Sequence, residues 1–218
     1  MYESVESFLN DLPPMKLLLA TSNLHKIREY RMMLKPLKGL DLLTFRNFPA
    51  YIPPEESGNT FEENAVIKAV HAAKELQLAT LADDSGLVVP ALQGEPGIYS
   101  ARYAGKDATD ADNRKKLLEK VKALSEDKRN AYFECVIALA LPEGLKKVVR
   151  GTCEGQLITE EKGGNGFGYD PIFKKYDYSK TLAELEEEVK NKISHRRKAL
   201  DKILPTLENI VREHALSH

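Results

Sequence analysis

The sequence has no tryptophan and only two cysteines, Cys135 and Cys153. Two thiols in 218 residues build no disulfide framework. Both fall in strand-like stretches, so they read as reduced and buried. Also missing is an excess of one charge: 32 Lys and Arg against 33 Asp and Glu leave a formal net charge of −1. A general nucleic-acid binder relies on a basic surface, so this balance argues against a nucleic-acid partner while permitting a local basic pocket. No stretch approaches the ~20 apolar residues of a membrane span. Met1 to Pro14 carries Glu3, Glu6 and Asp11 with no basic segment before an apolar run, which is not the pattern of a secretory signal. The expectation is a cytoplasmic protein with no membrane and no nucleic-acid partner.

What is present is ordinary for a folded domain, 42% hydrophobic and 30% charged residues. Pro13-Pro14 marks off an N-terminal extension at 1–14, either a helical turn or a tail, and residues 15–218 are expected to form a single domain. Lys16 to Thr21 is a short apolar run that reads as a buried strand, followed by helical spacing from about His25 to Leu34. Asp41 to Phe45 reads as a second strand, and Arg46 to Asn59 as a loop rich in Pro, Asn, Gly and Ser. Thr60 with Glu63 three residues on is a capping-box pattern. The helix it opens runs to about Leu76, with Phe61, Ala65, Ala69, Ala72, Ala73 and Leu76 as its apolar stripe and Asn64, Lys68 and His71 as a polar row. Ala79 to Ala82 reads as a strand ending in Asp83-Asp84-Ser85-Gly86, resumed by Leu87 to Val89. A helix over Ala111 to Leu124, a hairpin of Tyr132–Leu141 with Lys147–Ile158, a glycine-rich loop at 163–168 and a helical C-terminus broken or kinked near Pro205 complete the pattern. Helices and strands interleave without a strict βαβ rhythm. That predicts an α/β fold with a mixed sheet flanked by helices.

Three groups of residues carry chemistry. Adjacent strand residues point to opposite faces, so only one carboxylate of Asp83-Asp84 can face a given cleft. One carboxylate from this pair and one from Glu55-Glu56 would supply hard oxygen ligands for Mg²⁺; an Asx turn and a solvated loop are the alternative readings. Thr21-Ser22-Asn23 with Lys26 lies between a strand and a helix, where backbone N–H groups bind anions; the alternative is a capped helix with solvated lysines. Lys68 is placed to join that anion site. Ser194-His195-Arg196-Arg197-Lys198, after Lys190-Asn191, is either a helix face in water or, beside Phe167 and Asp170, one wall of a base pocket. Several familiar devices are ruled out. The glycine loop lacks dinucleotide-fingerprint spacing, no phosphate-binding G-x-x-x-x-G-K-[ST] occurs, and Gly151 to Gly155 mimics a nucleophile elbow with a strand where the helix should start.

Six segments in order resemble the inosine-triphosphatase family, over roughly Lys16 to Leu204. They are Ala20 to Asn23 with Lys26, Glu55 to Gly58 with Thr60 to Ala65, Ala82 to Leu87, Pro96 to Gly105, Asn165 to Pro171 and Ile193 to Arg196. The resemblance implies an elongated mixed sheet with two lobes around a central cleft, and a homodimer. It implies a Mg²⁺-dependent pyrophosphatase domain that cuts deaminated purine nucleoside triphosphates (ITP, dITP and XTP) to monophosphate and pyrophosphate, cleansing the nucleotide pool. A pyrophosphatase for other modified nucleotides and a non-catalytic nucleotide sensor are the alternatives. By the same resemblance Thr21, Asn23 and Lys26 would hold the triphosphate, within a loop that also includes Ser22, Leu24 and His25. Glu56 and Asp84 would bind the metal, with Asp84 as general base. Ser85 would contact phosphate and Lys68 would serve catalysis from the phosphate side, as would Lys26. Phe167, Gly168, Tyr169 and Asp170 would frame the nucleoside, and Lys190, His195 and Arg196 would recognise the base. Ser22 and His25 stand where the family usually has glycine, and His25 would narrow the loop or add a donor.

Overall fold

A computed structural model describes residues 13–217. The expected N-terminal extension therefore lies, apart from Pro13 and Pro14, outside the described residues. In chain order the regular elements are β1 (Met15–Leu19), α1 (Leu24–Leu34), β2 (Leu40–Thr44), α2 (Phe61–Leu76), β3 (Ala79–Val88), α3 (Asp110–Lys122), β4 (Asn130–Leu141), β5 (Gly144–Leu157), β6 (Phe173–Lys175), α4 (Glu187–Ile193) and α5 (His195–Leu216). The strands form one six-stranded sheet in the order β2-β1-β3-β4-β5-β6. β1 runs parallel to β2 and β3, and the pairs β3–β4, β4–β5 and β5–β6 are antiparallel. The sheet is mixed, as the irregular interleaving predicts.

Period-two alternation explains why β4 reads as an unbroken apolar run from Cys135 to Leu141. Cys135, Ile137 and Leu139 face α1 and α5 on one side of the sheet, while Val136, Ala138 and Ala140 face α2 on the other. With both faces covered, neither set is polar. Alanines Ala65, Ala69, Ala72 and Ala73 of α2 are fully buried, so that helix lies close against the sheet. Farther along the same strands Leu87, Phe133, Cys153 and Leu157 join Leu117, Tyr169 and Phe173 in a separate apolar cluster. Two apolar halves thus share β3, β4 and β5. The polar residues Asp83, Asp84 and Ser85 sit at the waist between them.

Several local expectations change. Asp83 and Asp84 do not end a strand: β3 continues through them to Val88, because antiparallel pairing with β4 is unbroken from Thr80 to Val88. Thr60 accepts the Glu63 N–H at 3.1 Å as the cap pattern requires, but the Glu63 carboxylate reaches one residue farther, to the Asn59 N–H at 2.6 Å. The hairpin is tighter than its pattern, with only Pro142 and Glu143 between β4 and β5. Pro205 does not interrupt the last helix. It lies inside α5, whose buried face of Ile203, Leu207 and Val211 carries the helix across the lost hydrogen bond.

The start of α5 is pressed onto β5 at Gly151. A Cβ there would stand 2.3 Å from the Ala199 nitrogen and the His195 oxygen, both backbone atoms that cannot step aside. Gly151→Ala is therefore expected to destabilise the protein by about 1–3 kcal/mol, the usual range for overpacking, read as a lowered midpoint in thermal denaturation. An unchanged midpoint would mean that α5 is not held against the sheet as described.

Candidate functional site

The waist opens into a cleft of about 350 Å³. Thr21, Ser22, Asn23, Lys26, Glu56, Lys68, Asp84, Ser85, Phe167, Gly168, Tyr169, Asp170, Lys190, His195 and Arg196 all line it. Leu24 and His25 do not. Leu24, first residue of α1, projects outward, is 59% exposed and lines a separate groove with Arg28 and Arg46. His25 sits behind Phe167, in a second groove with Glu29 and the glycine loop.

One end of the cleft gathers the acidic groups. The Lys68 ammonium lies 3.1 Å from a Glu56 oxygen and 3.5 Å from Asp84 Oδ1. Two carboxylates from distant segments thus converge on one cationic position. Asn64, the first residue of the polar row on α2, is fully buried. Its amide donates to Asp84 Oδ2 at 3.2 Å and accepts the Gly58 N–H at 2.8 Å, tying the Glu56 loop to Asp84. Burial pushes the Asp84 carboxyl above its ordinary range, against the opposing pull of Lys68 and Lys26. For Lys68, burial is outweighed by Asp84 and Glu56, and its ammonium is held charged. Beside this group, Asn23 caps α1, accepting the His25 and Lys26 N–H groups at 2.9 and 3.1 Å. The capped-helix reading is observed, but Lys26 is not solvated.

Lys26 instead begins a buried series of alternating charges. Its ammonium is 2.9 Å from Asp83, whose carboxylate faces away from Asp84. Asp83 also pairs with Arg196 at 3.3 Å, and Arg196 donates to Ser85 Oγ at 2.9 Å and to Glu29. Glu29 meets Lys190 at 2.9 Å, and Lys190 meets Asp170 at 2.5 Å. Burial alone would raise the Asp83 carboxyl, yet Lys26 and Arg196 hold it well below the usual carboxylate range.

The other end of the cleft is aromatic and cationic. The Lys190 ammonium stands 4.7 Å from the centre of the Phe167 ring, and the Arg196 guanidinium 5.9 Å from it. Asp170 Oδ2 accepts the Phe167 N–H at 2.9 Å. A side chain at Gly166, whose φ is +76°, would collide with that carboxylate. Burial, then Arg196 and Lys190, push His195 well below its ordinary value, so its ring is neutral near pH 7. That ring stacks on Phe133 at 4.9 Å, and its Nδ1 has no hydrogen-bond partner among the described residues. A buried polar atom without a partner on the wall of a cleft is suited to a ligand.

The sequence reading passed over Glu29, which resembles any polar residue on a helix between Arg28 and Arg31. Phe45, at the end of the segment expected to be a strand, and Tyr51, Pro53 and Pro54, from the loop that carries Glu56, also line the cleft without having been singled out. Tyr51, between Pro49 and Pro53, was the available signal. The thiol of Cys153 is buried and raised to about 11, so the elbow-like segment carries no nucleophile.

A model of the Ham1 family matches residues 17–206. The dITP/XTP pyrophosphatase of Protochlamydia amoebophila is 56% identical over 197 residues, covering 90% of this chain and 99% of that protein. The dITP/XTP pyrophosphatase of Chlamydia caviae is 50% identical over 204 residues, covering 93% and 99%. Among solved structures, a HAM1 protein from Coxiella burnetii is 42% identical with a TM-score of 0.80, covering 91% of this chain and 99% of that one. The Ham1 protein of Staphylococcus aureus is 42% identical with a TM-score of 0.78, covering 89% and 98%.

Glu29 offers a test of the charge series. Burial opposes its ionisation, but Arg196 and Lys190 win and its carboxyl lies below its ordinary value. A carboxylate depressed in the folded state stabilises above its unfolded value and loses that contribution as pH falls through the folded one. Glu29→Gln leaves Arg196 and Lys190 short of a counter-charge, a loss of about 3–5 kcal/mol at pH 7 for a broken buried pair. Denaturant unfolding is expected to show this gap at neutral pH and its narrowing below about pH 4, as the wild-type carboxyl protonates. A gap independent of pH would contradict the ion pairing.

Proposed function

The chain belongs to the Ham1 family, and on that premise we propose that it hydrolyses deaminated purine nucleoside triphosphates, ITP, dITP and XTP, to monophosphate and pyrophosphate. The observation that carries this reading is the convergence of Glu56 and Asp84 on one cationic position, 3.1 and 3.5 Å from the Lys68 nitrogen, at the opposite end of the cleft from Phe167. The relatives called dITP/XTP pyrophosphatases, matched over nearly their whole length, support the substrate class.

The donor set suits Mg²⁺. No group of three or more His, Cys, Asp or Glu ligands is found among the described residues. Two carboxylates suffice for an ion that keeps water and phosphate oxygens in the rest of its shell. Glu56 and Asp84 would hold it, and when bound it supplies neutralisation of charge on the phosphate oxygens. The protein does the positioning. Asp84, fixed through Oδ2 by Asn64, orients the attacking water and takes its proton. The water oxygen bonds to the α-phosphorus as the bond to the bridging oxygen breaks, and pyrophosphate leaves with that oxygen. Lys68, Lys26, Thr21, Ser22, Asn23 and Ser85 border the path of the triphosphate and stabilise its charge.

Base choice follows from donor polarity. The far end presents Lys190, Arg196 and a neutral His195 near Phe167, while the Asp170 carboxylate is already engaged by Lys190 and the Phe167 N–H. A 6-oxo purine offers these donors an acceptor. Adenine offers an amino group instead and leaves the third Lys190 N–H, not taken up by Glu29 or Asp170, without an acceptor. The reading includes a homodimer, carried by the family resemblance, and a cytoplasmic location, carried by the sequence pattern; light scattering after size exclusion checks the assembly. No helix among the described residues is long and apolar enough to cross a membrane.

Incubation with ITP and Mg²⁺ is expected to release pyrophosphate and IMP; orthophosphate and IDP would overturn the reaction type. Discrimination against ATP in kcat/KM should be on the order of 10⁴, the scale set by unpaired buried donors, and comparable values for ATP and ITP would refute the base reading. Asp84→Asn preserves size and removes charge, so kcat at saturating Mg²⁺ should fall roughly 10²–10⁴-fold. Near-full turnover would remove Asp84 from the mechanism.

A further inference from the structure

The His25 ring is stacked on the Phe167 ring, with centroids 4.9 Å apart and planes 11° from parallel. Phe167 lines both the cleft and the groove behind it, whereas His25 lines only the groove. The Phe167 ring is thus a partition, with His25 against its rear face.

The backbone around Phe167 is well held. Its own N–H goes to Asp170, the Gly168 N–H donates to Asp110 at 2.7 Å, and the Gly168 carbonyl accepts from Arg114 at 2.8 Å. Its side chain is not held by its neighbours in sequence, since Gly166 and Gly168 have none. Lys190 and Arg196 stand near the ring as cations, at 4.7 and 5.9 Å, and neither offers a flat surface of comparable area to rest on. His25 supplies that surface. Its backbone is held as well: the His25 N–H is bound by the Asn23 cap, one residue before Lys26.

We infer that His25 is a positioning residue for the nucleobase: it braces Phe167 as the wall of the base compartment and links that wall to the turn bordering the phosphates. The inference deepens the proposed function and rests on it. His25 touches no reacting atom. It acts through Phe167, so its effect falls on binding and not on the chemical step. This gives a use to a bulky residue at a position where the resemblance leads one to expect glycine.

The test measures KM and kcat for dITP with Mg²⁺ in the wild type, His25→Ala, His25→Phe, Phe167→Ala and the double variant His25→Ala/Phe167→Ala. His25→Ala is expected to raise KM about threefold to tenfold, the worth of one stacked aromatic pair, with a much smaller change in kcat. His25→Phe keeps a flat ring at the position and restores KM to within about twofold of wild type. In the Phe167→Ala background, His25→Ala adds no further rise, because the ring it braces is gone. An unchanged KM in His25→Ala, an equal rise in both backgrounds, or failure of His25→Phe to restore KM would each overturn the inference while leaving the proposed function standing. Absence of pyrophosphate from the wild type itself would overturn both.

Discussion

The site depends on the buried series Lys26, Asp83, Arg196, Glu29, Lys190 and Asp170, in which every charge is flanked by its opposite. Removing ions of this kind from water carries a penalty of several kcal/mol each, recovered only when partners are close and well aligned. Alternation meets that condition, and it meets it collectively, since most members serve two neighbours. The members come from α1, β3, α4, α5 and the loop before β6. The series therefore fixes where these elements sit relative to one another. Its first member borders the acidic end of the cleft and its last members frame the aromatic end, so the ion pairs of the series tie the two ends to each other.

The same series explains why neighbours in the cleft have such different electrostatic characters. His195, adjacent to Arg196 and near Lys190, is kept neutral by burial and by these cations. Lys190 stays charged although burial works against it, because Asp170 and Glu29 lie beside it. A base compartment with one neutral ring and two permanent cations is rich in donors. On the proposed function, that polarity is the basis for choosing a purine with a carbonyl at position 6.

Local chemistry was legible from sequence, and long-range pairing was not. The Thr60 cap, the alanine stripe on α2, the mixed sheet and the opposition of Asp83 to Asp84 all follow from rules acting over a few residues, and each is found. Glu29 was invisible because a glutamate on a helix acquires meaning only when α4 and α5 dock against it, more than 150 residues later. Local pattern left Arg196 between a solvated basic run and a wall of the base pocket; the Ser194 cap starts α5 there and turns His195 and Arg196 inward while Lys198 stays exposed. The expected interruption at Pro205 fails for the opposite reason. The local rule for proline is strong, but the packed apolar face of α5 outweighs one missing hydrogen bond.

Asp83 and Asp84 show how one strand can divide structural from chemical work. The two residues are adjacent and of one type, and the pleat of β3 sends their carboxylates to opposite faces. Asp83 enters the side closed by α1 and α5, where Lys26 and Arg196 overcome the effect of burial and hold it ionised. Asp84 enters the side occupied by α2, where burial prevails and raises it despite Lys68. A carboxylate saturated by two cations has little capacity left for a ligand. A carboxylate whose burial is incompletely offset favours any further positive charge or proton brought to it. The pleat thus assigns the first aspartate to hold the waist together and turns the second one to the cleft, and an exchange of register by one residue would reverse both assignments.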